Sequence, residues 1–284
     1  MRVALLGLGL IGGSIGLAAG RLPDVETVGF DADADAAERA RELGAVRRRA
    51  SSVEEAVADA DVVFAAAPVG ALEGLVRDAL AASAPGCVVT DVGSTKRALL
   101  DALAGTRRLE RFVGGHPLAG SEQAGVEHAR ADLFDGAIWF VTPVAGAEKA
   151  STARLQALLS RLGARPVSLS AEAHDALLAR MSHLPHVLAN VLVAAAAQDG
   201  ERALELAGCG PSFRDATRVA GASTAIWTDI YLANADMLRV AIDEAIDELA
   251  RVRELLRAGD RVGLAAWNEL ACKRRERSRA ARGS

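Results

Sequence analysis

Up to about residue 170 the chain alternates short, unbroken apolar runs with longer Ala-, Leu- and Arg-rich stretches of helical length. The runs at 3–7, 26–30, 62–66, 87–91, 111–115, 138–142 and 165–169 are too short for helices and read as strands. Their apolar positions do not alternate with polar ones: Val62, Val63, Phe64, Ala65 and Ala66 follow one another. Strands of that kind are covered on both faces, and the strand-helix-strand succession predicts a doubly wound, mainly parallel sheet. Beyond residue 170 the strand signal stops. Leu177, Met181, Leu184, Leu188, Val191 and Ala195 recur at steps of three and four, which predicts a buried helix stripe. Further helices are predicted over 224–257 and 261–279, the first carrying Ile230, Leu238, Ile242, Ala245, Ile246 and Leu249 among charges. The pattern therefore predicts an α/β domain over 1–170 and an all-α domain over 171–284.

A chain of 284 residues has room for two such cores, and 51% hydrophobic with 25% charged residues is the balance of an ordinary folded protein. Thirty-seven acidic against 33 basic residues give a formal charge of -4, so no basic field speaks for nucleic acid, and a small-molecule partner is expected instead. Cys87, Cys209 and Cys272 are odd in number and far apart, which fits neither a disulfide framework nor structural zinc and points to the reducing cytoplasm. The uncharged stretch 3–20 behind Arg2 has the look of a secretory leader. Its glycines at 7, 9, 12, 13, 16 and 20 weaken it as a spanning helix, and no other stretch reads as a membrane span. The six basic residues in 273–282 are expected to form a solvated helix tip, and no separate ligand-sensing module is expected after the helical half. An Ala- and Leu-rich helical appendage commonly covers surplus apolar surface with a second copy, so a homodimer is expected.

The sequence GLGLIG at 7–12 follows the first strand and opens a helix, the context that gives a GxGxxG its meaning. Gly7 permits the tight turn, Gly9 lets the backbone approach a pyrophosphate, and Gly12 allows close helix-strand packing, with Leu10 and Ile11 at the helix N-terminus. Asp31, nineteen residues after Gly12, ends the second strand where a carboxylate accepts from both ribose hydroxyls. These residues make the domain Rossmann-type. With no Arg or Lys beside Asp31, a 2′-phosphate is repelled and NAD is expected over NADP. Asp33 and Asp35 read as helix caps.

DVGSTK at 91–96 and GHPLAGSE at 115–122 follow later strands, where sheets of this kind bind ligands. Ser94 and His116 are thus candidates to face the nicotinamide. His116, between two glycines and a proline, is read as lying on a loop, where a near-neutral imidazole can accept an alcohol proton. Ser94 can orient it by a hydrogen bond, or simply cap the helix expected over 96–103.

GLGLIGGSIGLA, DVGSTK, GGHPLAGSEQAGVEHARADLFDG, MSHLPHVLA and SFRDATRVAGASTAIWTDIYLANAD, in that order, resemble the prephenate dehydrogenase family of tyrosine biosynthesis across nearly the whole chain. The resemblance implies an oxidative decarboxylation of prephenate with NAD, giving 4-hydroxyphenylpyruvate and carbon dioxide, with an all-α C-terminal domain for dimerisation and substrate. It implies that His116 takes the ring hydroxyl's proton and that Arg218 grips the ring carboxylate, with Asp215 and Glu122 holding Arg218 and Ser121 beside them in the substrate group. It further puts Ser182 and His186 near the substrate side chain.

Arogenate dehydrogenase performs the same chemistry on the amino-acid analogue and stays open, the choice resting on residues near the side-chain end. A β-hydroxyacid dehydrogenase ranks lower because the helical segment around 181–190 offers histidines and no lysine. A non-catalytic NAD sensor would leave His116, Ser94 and Arg218 without a task. Tyrosine, similar to the product, is expected to compete at His186 and Arg218. His183 and His186 lack the companions of a metal site; His183 is read as packing, His128 and His174 as solvated, and Trp227 and Tyr231 as core or dimer packing.

Overall fold

The structure, a computed structural model, describes residues 1–120, 123–196 and 210–283. One eight-stranded sheet runs in the order β3-β2-β1-β4-β5-β6-β7-β8. Its strands are β1 (Arg2–Leu6), β2 (Glu26–Phe30), β3 (Arg48–Arg49), β4 (Val62–Ala65), β5 (Val88–Asp91), β6 (Phe112–Pro117), β7 (Ile138–Pro143) and β8 (Arg165–Ser168). Every pairing is parallel except β6 with β7, where His116 stands opposite Phe140. The two-residue β3 has no apolar run to announce it.

Alternate residues of each central strand feed two cores, which explains the missing polar alternation. Val3, Leu5, Val62 and Phe64 join Ile15, Phe134 and Trp139 on one face. Ala4, Leu6, Val63 and Ala65 join Val76, Leu80 and Phe112 on the other. Each fully buried Leu or Phe contributes about 1.5–3 kcal/mol by leaving water. The crossovers are helices α1 (Leu10–Gly20), α2 (Ala34–Glu42), α3 (Val53–Val57), α4 (Leu72–Ala82) and α5 (Arg97–Ala102), and α6 (Lys149–Arg161) joins β7 to β8. The leader-like stretch is β1, the glycine turn and α1. Asp33 caps α2, its carboxylate accepting from the Asp35 and Ala36 N–H groups.

After β8 come α7 (Ala171–Leu178), one π-helical turn (Ala179–His183) and α8 (Leu184–Ala196). The wide turn sits just before Pro185, whose missing N–H would leave a gap in a regular ladder. The whole stretch is long and apolar enough to cross a membrane by length and composition, yet its inner face holds His174, Asp175, His183 and His186, all buried in protein. Its predicted buried stripe is corrected: Met181 is 71% and Val191 55% exposed, with Leu177 and Leu188 also open. Periodicity identifies an apolar face but not what covers it.

The chain forms two compact units, Met1–Ala235 and Asp236–Ser284. The first takes in α7, α8 and helices Pro211–Thr217 and Thr224–Ala233, so this division differs from the change of secondary structure at residue 170. In the second, helices Ala235–Arg257 and Arg261–Gly283 are joined where Trp267 Nε1 donates to Glu248 at 2.6 Å.

Candidate active site

The strand order reverses between β1 and β4, which opens a crevice at their carboxyl ends. The glycine turn lies there. Gly7 has φ +98°, and a Cβ on it would stand 2.2 Å from the Ala66 carbonyl oxygen. A Cβ on Gly12 would meet the Gly7 carbonyl oxygen at 1.9 Å, whereas one on Gly9 would meet nothing within 4 Å. Two glycines are thus needed by the fold, and the third leaves an open backbone surface at the start of α1, where Leu10 and Ile11 form the first turn. Asp31 braces this turn: Oδ2 accepts from the Leu8 N–H at 2.7 Å and Oδ1 from the Asp33 N–H at 2.9 Å. The cradle fits a dinucleotide's pyrophosphate, because extended backbone N–H groups and a helix N-terminus meet where no side chain intrudes.

Two strands along, Asp91 and Lys96 form an ion pair with both side chains fully buried. Asp91 also accepts from the Gly93 N–H at 2.8 Å and the Gly115 N–H at 3.0 Å, so the buried charges are satisfied and the end of β5 is tied to β6 just before His116. His116 itself lies inside β6 rather than on a loop, a correction that fixes its Cα by the ladder to β7. It is 8% exposed. Burial, then the neighbouring His174 and Lys96, holds its imidazole well below the usual pKa of 6.5.

His116 Nδ1 lies 2.9 Å from His174 Nε2, and His174 Nδ1 lies 2.7 Å from Asp175 Oδ1. His174, expected in solvent, is completely buried on α7, edge-on to Phe140. Its partner Asp175 stands where Lys96 N–H (2.9 Å) and Arg97 N–H (2.9 Å) donate to its two oxygens. The N-terminus of α5 is therefore capped by a carboxylate from a distant helix, not by Ser94, and His174 rather than Ser94 bonds to His116 Nδ1. Ser94 sits half-buried on the loop between them. Although burial opposes it, the hydrogen bonds from His174 and the backbone keep the Asp175 carboxyl below its ordinary pKa.

Behind this line, the Asn234 amide donates to the Asp175 carbonyl at 2.9 Å and to His183 Nδ1 at 3.2 Å. His183 meets the edge of Trp227, and Trp227 stacks on His186. Tyr231 hydroxyl and the Asn190 amide both bond at His186 Nδ1, which leaves the proton of this ring on Nε2. Burial lowers the His186 pKa and raises that of Tyr231. Ser182 is half-buried in the π-helical turn. Arg218 opens the 3-10 turn Arg218–Gly221, which packs against α8; Arg218 and Asp215 are exposed. Ser121 and Glu122 lie outside the described residues. Among the described residues no group of three or more His, Cys, Asp or Glu is placed to hold a metal ion.

Lys96, His174, Asp175 and Asn234 are the members that sequence reasoning missed. The AEAHDA stretch carried one legible signal, a His-Asp pair one turn into a helix otherwise apolar on its inner face.

Comparison with known proteins bears directly on this arrangement. Residues 18–168 match the nucleotide-binding domain of prephenate dehydrogenase and residues 170–269 its dimerization domain. The chain is 36% identical over 266 residues to prephenate dehydrogenase of Bacillus subtilis (strain 168), covering 91% of this chain and 71% of that protein. It is similar to the Aquifex aeolicus prephenate dehydrogenase crystallised with hydroxyphenyl propionate and NAD+, with TM-score 0.89, 28% identity, and 97% and 98% of the two chains covered. It is also similar to Synechocystis arogenate dehydrogenase, with TM-score 0.83, 25% identity, and 98% and 100% covered. On the match of both domains and of the Bacillus relative, this chain belongs to the prephenate dehydrogenase family.

Proposed function

We propose that the protein is an NAD-dependent prephenate dehydrogenase that converts prephenate to 4-hydroxyphenylpyruvate and carbon dioxide. The observation that carries this reading is a buried histidine, already bonded through one ring nitrogen, at the carboxyl end of β6 in a chain with both family domains. NAD, when bound at Gly7, Gly9, Leu10, Ile11, Gly12 and Asp31, supplies the hydride acceptor. Asp31 favours NAD over NADP because its carboxylate would repel a 2′-phosphate.

His116 Nε2 accepts the proton of the ring hydroxyl while the carbon bearing it is oxidised; the ring carboxylate then leaves as carbon dioxide and the ring becomes aromatic. Aromatisation drives this last step, so the protein needs no separate acid. Arg218 grips the ring carboxylate through its guanidinium fork, with Asp215 and Glu122 fixing it. Ser94 lines the hydroxyl end. Ser121, Ser182 and His186 serve the side chain. The hydroxyphenyl propionate of the Aquifex complex shares the product's phenol and three-carbon acid chain but lacks its keto group.

A second reading, arogenate dehydrogenase, is favoured by the Synechocystis likeness. Purified protein mixed with NAD or NADP and either prephenate or arogenate, followed by reduced-cofactor absorbance, decides between them. A signal with prephenate and NAD is expected; a signal with arogenate alone moves the substrate, and none with either overturns the reading. Arg218→Gln should mainly raise KM, and tyrosine should raise the apparent KM if it competes at His186 and Arg218. The enzyme works as a homodimer in the cytoplasm, the second copy covering the open stripe of Met181, Leu188 and Val191.

A further inference from the structure

We propose that His174, held by Asp175, is a positioning residue that locks His116 in the one tautomer able to act as a base, with hydrogen on Nδ1 and a bare Nε2. The inference rests on the reading of His116 as the base and adds the part of the molecule that prepares it.

The direction of each proton follows from the donors that cannot reverse. Lys96 N–H and Arg97 N–H are backbone donors, so both oxygens of Asp175 are acceptors there. The Arg97 guanidinium adds its charge 3.6 Å from Oδ2. A carboxylate in that setting also accepts at its third contact, so His174 Nδ1, 2.7 Å from Oδ1, carries a hydrogen. His174 is completely buried, Lys96 already places a cation in the cluster, and Arg97 already offsets the charge of Asp175. In a neutral imidazole a hydrogen on Nδ1 makes Nε2 an acceptor, so the bond to Asp175 turns the His174 Nε2 lone pair toward His116. Among the described residues, the one group facing that lone pair at hydrogen-bond distance is His116 Nδ1, 2.9 Å away, which must donate. His116 Nε2 is left without hydrogen. The opposite tautomer would point an N–H at the substrate hydroxyl and leave two lone pairs facing each other at Nδ1.

Edge-on ring packing alone would also bring the imidazoles near each other, and their centroids are 5.1 Å apart. Packing does not require nitrogen to face nitrogen, or a carboxylate behind the second ring. The arrangement reaches from α5 through α7 to β6, which is why residues 79 apart in sequence, Lys96 and Asp175, serve one imidazole.

The direct test is the 15N and 1H spectrum of the histidine rings in the intact protein at neutral pH, with His116→Asn used to assign the resonance. Hydrogen on His116 Nδ1 is expected; hydrogen on Nε2 overturns the proposal. Kinetics give a second, independent reading. His174→Phe keeps the ring shape against Phe140 but removes the acceptor, and should lower kcat on the order of 10²-fold with KM changed less than about threefold. His174→Gln restores an acceptor oxygen and should recover at least about tenfold of that loss. A His174→Phe enzyme with more than half the original kcat, or a Gln variant no better than Phe, overturns the lock. A His116→Asn enzyme with undiminished kcat would instead remove the base itself, so the two failures are distinguishable.

Discussion

Trp227 lies flat on the imidazole of His186, with ring centroids 3.6 Å apart and planes 6° from parallel. Neither residue can turn without breaking this stack, and Tyr231 fixes the far side of the histidine through Nδ1. The three side chains form a rigid cluster around the His186 ring, whose Nε2 is buried. Such a stack contributes about 0.5–1.5 kcal/mol beyond the area it buries. Trp227→Leu should therefore raise KM for the substrate by about two- to tenfold and leave kcat within about twofold. Steady-state kinetics would refute the role of His186 if KM stayed unchanged.

The glycine turn separates fold from ligand. Gly9→Ala should leave thermal unfolding unaltered, because its Cβ meets nothing, yet weaken NAD binding about tenfold or more by standing where the pyrophosphate approaches. Gly12→Ala puts a Cβ 1.9 Å from the Gly7 carbonyl oxygen and should lower Tm itself. Calorimetry on both variants, with and without NAD, checks the contrast; equal loss of Tm in the two would mean the turn is uniformly packed.

Burial, with His174 and Lys96 beside it, keeps His116 unprotonated well below pH 6.5. The acid limb of the kcat/KM profile should accordingly fall at lower pH than an ordinary histidine would give. Lys96→Met removes a nearby positive charge and should move that limb upward, in a profile recorded with Tm to confirm folding.

Burial also depresses His183, from 6.5 to about 4. The unfolded chain then binds this proton first as pH falls, so the stabilisation present above pH 6.5 is lost between there and about pH 4. The loss is on the order of 3 kcal/mol for this group. His183→Gln should flatten the fall of Tm across that window, whatever its effect at pH 7. An unchanged slope would show that His183 titrates as it does in solvent.

The open apolar face of α8 carries Val191, 55% exposed. A charge there costs nothing in a monomer but several kcal/mol in a covered interface. Val191→Asp should change the sedimenting mass from twice the 29.4 kDa chain to one. A dimer that survives this change lies elsewhere on the surface.

The apolar runs determined seven of the eight strands, and the spacing from Gly7 to Asp31 marked the glycine turn between β1 and α1, because a βα turn is local and its requirements are written in adjacent residues. His116, between glycines and a proline, read as a loop residue, and only the ladder to β7 shows it inside a strand. What covers a helix stripe was not: Met181 and Val191 have the periodicity of a core, and only the packed chain shows them open. The environment of His174 was equally out of reach. Its burial, its contact with His116 and the capping of α5 by Asp175 depend on α7 folding back over strands some 60 residues earlier, and a histidine in an Ala-rich helix looks the same in solvent as in a core. Local geometry is set by neighbours in sequence; the surroundings of a buried ring are set by neighbours in space, and these exist only once α7 has packed against the sheet.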